Sequence, residues 1–376
     1  MPKTNQKAVV KAGTDLPPGN YISEWLGHRV YPSVRLDVSS FVGKSFGTCP
    51  FLSDALRQST SCIKNENSFG VCTVNAASNG AAQDWLACPY RVISSGLVTS
   101  ACQRIFGQTD VPHPVPVTLL QVPAELAGFK EKVHDGTSGY VFFQAKLGGE
   151  ISVVGTPKSP EMSFDVTLVE IRNEAGKFTV GRYGIFEIQT MDFHGSYRAA
   201  VQNLGDALRL HRSEFPDALR RNLRWTGEGV EGPNIANVFK RTFYQILIKF
   251  QLSGQGAAAG TVLAIPQAVW DSWQPFLGAP ELEKMSGDVF AIKAIDGTPN
   301  GSGSTNAYIT VFDLDGEAKS AISPVKINMH IRVNAEQLAH HAFKVVPSGM
   351  LKSLSKADSI LTRIKERLVV YWPGIS

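Results

Sequence analysis

The chain has 376 residues and a mass of 40.8 kDa, with 43% hydrophobic and 19% charged residues. That balance excludes a disordered chain, and 34 Gly and 21 Pro without a repeating period exclude a collagen-like one. The net charge of +4 suits a nucleic-acid partner without requiring one.

Residues 1–20, with three lysines and the Pro17-Pro18 pair, read as a mobile basic arm. No charged-then-apolar leader opens the sequence, so a cytoplasmic rather than a secretory location is expected. All five cysteines follow in one segment: Cys49, Cys62, Cys72, Cys88 and Cys102. An odd count without a leader argues against a disulfide framework. The first four are separated by 12, 9 and 15 residues, which is not the Cys-x-x-Cys spacing of zinc ribbons. Spacing alone therefore leaves two readings open, a four-thiolate metal site or unrelated buried thiols. Cys102, on the apolar stretch 96–106, reads as core. Residues 21–110 are turn-rich, with short helices such as one starting near Ser53. A region that poor in regular structure favours a metal staple.

Beyond the Pro-rich segment at 111–117, strands are predicted at 140–146, 151–155, 162–172 and 178–191. The turn Asn173-Glu174-Ala175-Gly176-Lys177 joins the last two into a hairpin. Helices are predicted at 196–210, 213–224 and 234–252, the last with Phe239, Phe243, Ile246, Leu247 and Phe250 on its apolar face. Between Ser196 and Phe250 nine Lys or Arg stand against five Asp or Glu. Further strands fit 262–265, 288–295, 307–313 and 325–333, with a solvated loop at 297–306. Asn334 is placed to cap a helix, and 348–368 reads as a final amphipathic helix. The longest apolar stretch, 256–270, contains Pro266 and is too short to span a membrane. The whole is mixed α/β, a central sheet flanked by helices.

The chemistry concentrates on the 162–191 hairpin. Asp165 lies on its first strand, and strand period puts Glu187 and Gln189 on one face of the second. A cross-strand Asp and Glu form a hard-oxygen pocket for a divalent ion, and Glu150 is placed to add a third carboxylate. This outlines the PD-(D/E)xK nuclease core, with Gln189 where lysine is usual and Phe164 where proline would stand. On pattern alone, one exposed face of an edge hairpin is the favoured reading, by roughly threefold.

Longer stretches add to that outline. They are EWLGHRVYP at 24–32, GTCPFL at 47–52, TSCIK at 60–64, GVCTVN at 70–75 and DWLACP at 84–89. Then come KLGGEIS at 146–152, SPEMSFDVTL at 159–168, RYGIFEIQTMDFHGSY at 182–197, EGPNIANVFKRTFYQ at 231–245, AIPQAVWDSW at 264–273 and IRVN at 331–334. With these blocks in one order, the chain resembles the NotI-like Type II restriction endonucleases. The resemblance covers most of 22–273 and is patchier over 306–372, while 201–230 and 276–305 diverge. It implies a homodimeric, magnesium-dependent bacterial endonuclease with a PD-(D/E)xK catalytic domain over 111–376. It also implies a 21–110 region in which Cys49, Cys62, Cys72 and Cys88 bind iron, or zinc, and serve DNA recognition. Glu150, Asp165, Glu187 and Gln189 match the active-site positions of that family. Double-stranded DNA is the implied substrate, cut at a GC-rich palindrome (GCGGCCGC if NotI-like) to leave 5′-phosphates and 5′ overhangs. No nucleotide cofactor and no membrane partner are expected.

Gln189 cannot supply the positive charge of a lysine. A second Mg²⁺ shared by Glu150 and Asp165, or Lys146, is the expected substitute. Lys240 and Arg241 are candidate phosphate contacts, with ordinary surface charge the plain alternative. His194 reads as structural, since magnesium nucleases of this core need no histidine base. The runner-up reading is a sequence-specific DNA-binding protein with a degenerate nuclease site.

Overall fold

The computed structural model describes residues 19–31, 47–78, 81–93, 96–253, 255–293, 306–315, 322–354 and 360–371. The basic arm expected over 1–20 lies outside the described residues up to Pro18, as does the expected loop over 297–305. In chain order the elements are β1 (Tyr21–Trp25), β2 (His28–Arg29), α1 (Pro50–Leu56), β3 (Val71–Ser78), β4 (Ala81–Leu86), α2 (Gly96–Phe106), β5 (Val115–Pro116), α3 (Pro123–Lys132), β6 (Ser138–Gln144) and β7 (Ile151–Val153). They continue with β8 (Met162–Phe164), β9 (Val166–Glu174), β10 (Lys177–Ile188), β11 (Phe193–Gly195), α4 (Arg198–His211), α5 (Phe215–Arg221), β12 (Val230–Pro233), α6 (Ile235–Leu252), β13 (Ala258–Pro266) and α7 (Gln267–Leu277). The last are β14 (Leu282–Ser286), β15 (Val289–Ile292), β16 (Ala307–Leu314), β17 (Val325–Arg332), α8 (Ala335–His340), α9 (Val346–Leu354) and α10 (Ile360–Tyr371). The single C-terminal helix expected over 348–368 is thus two described helices, and 355–359 lie outside the described residues. Among the described residues no helix is long and apolar enough to cross a membrane.

Two compact units divide the chain, residues 1–95, 190–234 and 314–326 in one, and 96–189, 235–313 and 327–376 in the other. The division is interleaved rather than a single cut near residue 110. The 190–234 segment joins the cysteine-bearing unit, and Cys102, on α2, belongs to the second.

The first unit is more regular than its turn-rich sequence suggests. It holds an antiparallel sheet in the order β2-β1-β3-β4. Ile22, Trp25 and Val74 of the sheet pack with Leu204 and Leu208 of α4 and Phe215 and Leu219 of α5. Inside this unit Arg91 grips Glu24 through two bonds of 2.8 and 3.0 Å, and Thr73 Oγ1 donates to the same carboxylate at 2.6 Å. Burial alone would raise the Glu24 pKa, but Arg91 and Thr73 overcome it and hold the carboxyl below its usual range.

The second unit is built on a nine-stranded sheet in the order β14-β15-β17-β16-β13-β10-β9-β6-β5. The sheet is mixed: β13 is parallel to both β10 and β16, whereas β10–β9 and β9–β6 are antiparallel. Every residue of β13 is buried, as expected of a central strand covered on both faces. On one face Gly184 and Gly260 let α2 approach closely. A methyl group at Gly184 would meet Ile105 Cγ2 at 2.2 Å, and one at Gly260 would meet Ile105 Cα at 3.2 Å as well as the Asn306 carbonyl oxygen at 2.5 Å. On the other face α6 is tied down where Thr261 Oγ1 donates to the Lys249 carbonyl at 3.0 Å and receives the Ser253 hydroxyl at 2.7 Å.

His330, on β17, is 1% exposed, with Nδ1 2.9 Å from Thr310 Oγ1 and Nε2 3.2 Å from Ser100 Oγ. Burial and the Arg104 guanidinium push its pKa down to about 4, against the pull of Asp288. The ring is therefore neutral in the fold but protonates near its ordinary value once unfolded. Stability is present above about pH 6.5 and is lost as the pH falls toward 4, by on the order of 3 kcal/mol. Urea unfolding across that window is expected to show this loss in the wild type and a flattened dependence in His330→Gln.

Candidate functional site

The hairpin β9–β10 closes through Ala175 and Gly176, both with positive φ (52° and 82°), the backbone of a two-residue turn that matches strand twist. Near the turn the strands pair in one register, with Val180 opposite Ile171; further on Tyr183 stands opposite Val169. A bulge at Gly181–Arg182 makes the shift. It is pinned by Glu170, whose buried carboxylate receives the Arg182 backbone N–H at 3.3 Å, Arg172 at 2.8 Å and Ser138 at 2.9 Å. Continued from the turn, the first register would set Glu187 opposite Phe164. The bulge sets it opposite Asp165, one step beyond the Phe186–Val166 pair.

Asp165 itself interrupts the edge between β8 and β9, which frees its backbone for the partner strand. Its N–H donates to Glu187 Oε1 at 3.2 Å, and the Ile188 N–H donates to Asp165 Oδ2 at 3.0 Å. Each carboxylate is thus oriented by the other strand. Burial and then the Asp165 charge push the Glu187 pKa up to about 7, with Lys249 pulling the other way. Burial likewise raises Asp165, against the Ile188 amide and Lys249. A buried Glu187 and a half-buried Asp165 that repel one another in this way suit a hard divalent ion held by one or two carboxylates, with water and phosphate oxygens completing the shell.

Other sequence candidates take different places. Gln189 is half-buried, its side-chain oxygen receiving the Thr242 hydroxyl of α6 while its N–H donates to the Ala264 carbonyl at 2.9 Å. Glu150 precedes β7, whose Ile151 pairs with Phe164, so the β7–β8 ladder ends one residue short of both Glu150 and Asp165. Its side chain is nevertheless exposed, and among the described residues no three acidic, imidazole or thiol groups form a ready set for a metal ion. Lys146 is exposed on the turn after β6. Lys240 and Arg241 are exposed on α6, as is His194 on β11. Sequence reasoning missed Lys249, 3% exposed, whose Nζ lies 2.5 Å from Glu187 Oε2. The signal was available: a charged residue within the otherwise apolar Ile246-Leu247-Ile248-Lys249-Phe250 run.

A second cluster occupies the first unit. The 47–49 and 60–62 segments pair backbone to backbone, with Cys49 N–H donating to Thr60 at 2.8 Å and Cys62 N–H to Gly47 at 2.7 Å. The β3–β4 ladder runs on to the Ala87 N–H, which donates to the Cys72 carbonyl at 3.0 Å and so draws Cys88 toward Cys72. Two pairs of thiols result. Cys49 and Cys88 each precede a proline that opens a short helix, α1 or the 3₁₀ turn Pro89–Val92. Following backbone amides donate to each sulfur, those of Phe51 and Leu52 to Cys49 and those of Tyr90 and Arg91 to Cys88. Cys62 Sγ receives the Gly70 N–H and Cys72 Sγ donates to the Gly70 carbonyl, both at 3.4 Å. Gly70 has φ +75°, and a methyl there would meet Trp25 Nε1 at 2.6 Å.

Burial raises the Cys49 pKa to about 11 and raises Cys72 and Cys88 also. The neighbouring thiols add to each shift, and Lys64 opposes it at Cys88. All four cysteines are free of disulfides. Soft donors lined with N–H groups fit a thiophilic ion, whose charge would reverse those shifts. The four sulfurs do not close into a ready coordination set.

No protein-family model matches this chain. No curated protein matches it either.

Proposed function

We propose that this chain is a magnesium-dependent endonuclease of the PD-(D/E)xK type acting on double-stranded DNA. The observation that carries the reading is the reciprocal bonding of Asp165 and Glu187 at the end of the β9–β10 hairpin, within a mixed sheet flanked by helices. That pair supplies two carboxylates, each bonded by the other strand's backbone N–H. Bound there, Mg²⁺ would polarise the scissile phosphate and lower the pKa of its water. The chain's own groups orient the site: the Ile188 N–H fixes Asp165, and the Thr242 hydroxyl holds the Gln189 side chain.

In the same reading the four cysteines hold one iron or zinc ion that fixes the shape of 47–93, and the enzyme acts as a homodimer on a palindrome. The resemblance makes that palindrome GC-rich. Its runner-up, a DNA-binding protein with a spent nuclease site, draws on Gln189 standing where a lysine would. The test is digestion of plasmid DNA by the full chain in Mg²⁺ or in EDTA, followed by sequencing of the ends. Double-strand cuts at one recurring GC-rich sequence, in Mg²⁺ alone, are expected. Specific retention of DNA that stays intact in Mg²⁺ would favour the runner-up.

A further inference from the structure

The acid pair has a cation of its own, supplied by a helix. Thr242 and Lys249 stand seven residues apart on α6, two turns, and so share a face. That face lies along the Glu187–Gln189 side of β10: Thr242 bonds Gln189, and Lys249 reaches Glu187 Oε2 at 2.5 Å. The stem of Lys249 is fully packed, and its ammonium lies 5.7 Å from the centre of the Phe164 ring. Its backbone is fixed as well, because its carbonyl receives Thr261 Oγ1 of β13. A buried ammonium held at both ends is a fixed charge, unlike exposed Lys146.

We infer that Lys249 is the positioning cation of the acid pair, doing from α6 what the lysine absent at Gln189 would do from the strand. It occupies one oxygen of Glu187 and leaves the pair's remaining oxygens to a single divalent ion. Charge favours this arrangement. Two carboxylates, one ammonium, one divalent ion and one phosphodiester sum to zero, so no second metal on Glu150 is required. The inference rests on the nuclease reading, since it assigns a role within that site.

The test compares wild type, Lys249→Met, Lys249→Arg and the double variant Gln189→Lys/Lys249→Met. Two readouts are taken: Mn²⁺ binding to the DNA-free full chain by electron paramagnetic resonance, and plasmid cleavage in Mg²⁺. Lys249→Met removes the competitor for Glu187, so Mn²⁺ is expected to bind about 10-fold more tightly while cleavage falls about 100-fold or more. Lys249→Arg keeps the charge and is expected to hold Mn²⁺ as the wild type does. The double variant returns an ammonium to the same face and is expected to recover cleavage to within about 10-fold of wild type. A purely structural lysine predicts the opposite pattern, with weaker Mn²⁺ binding in Lys249→Met and no rescue by Gln189→Lys. That pattern, or wild-type cleavage by Lys249→Met, overturns the inference and leaves the nuclease reading standing. A wild-type chain that does not cut overturns the nuclease reading and this inference with it.

Discussion

Asp165→Asn and Glu187→Gln are each expected to slow Mg²⁺-dependent DNA cleavage by at least about 1000-fold, a loss of about 4 kcal/mol in transition-state stabilisation. Each change removes one negative charge and almost no volume, so the sheet stays as it is. Stability should move the other way for Asp165. Its carboxyl is pushed above its usual range by burial, so ionisation at neutral pH works against the fold. Asn at that position should leave thermal stability unchanged or raised, while activity disappears. For Glu187 the relief is offset, because Gln leaves the buried Lys249 ammonium without its partner. Single-turnover cleavage assays and thermal unfolding on the same samples separate these effects. Wild-type rates in both variants would place the chemistry elsewhere.

If the four cysteines hold an ion as proposed, replacing Cys62 or Cys88 by Ser should strip the first unit of that transition metal. A serine hydroxyl keeps the backbone N–H bonds but is a poor ligand for a thiophilic ion. The unit then loses the linkage stabilisation of a bound ion, about 4 kcal/mol for a site filled a thousandfold above its Kd. Its sheet and the Trp25–Phe215 core remain, so a lower unfolding midpoint is expected rather than a chain that never folds. Specific DNA affinity should fall with it, while divalent-ion binding at Asp165 and Glu187 persists. Elemental analysis of purified wild type should give about one Fe or Zn per chain. An active enzyme free of transition metal would refute the assignment.

The hairpin was legible because its turn needs Gly176 and its strands alternate. Asp165 and Glu187 were legible as candidates for the same reason. The register that brings them together was not, since it depends on a one-residue bulge at Gly181–Arg182 held by the Glu170 carboxylate of the facing strand. Residues 21–110 were read as turns because their strands are short and their partners lie far along the chain: β1 pairs with β3 across about fifty residues. Cysteine spacing likewise left the thiols undecided, whereas two separate backbone pairings set Cys49 beside the Cys62 segment and Cys72 beside the Cys88 segment. Lys249 escaped notice because it sits in an apolar run, where helical period alone reads as core. Its role becomes visible only once the strand face beneath it is known to carry acids.

Crystals of the full chain soaked in Mn²⁺ and measured at the manganese absorption edge give the most direct test of the acid pair as the metal site. The predicted result is one anomalous peak between the Asp165 and Glu187 carboxylates, absent from crystals of Asp165→Asn. No peak at that pair, with Mn²⁺ instead on Glu150 or elsewhere, would contradict the account.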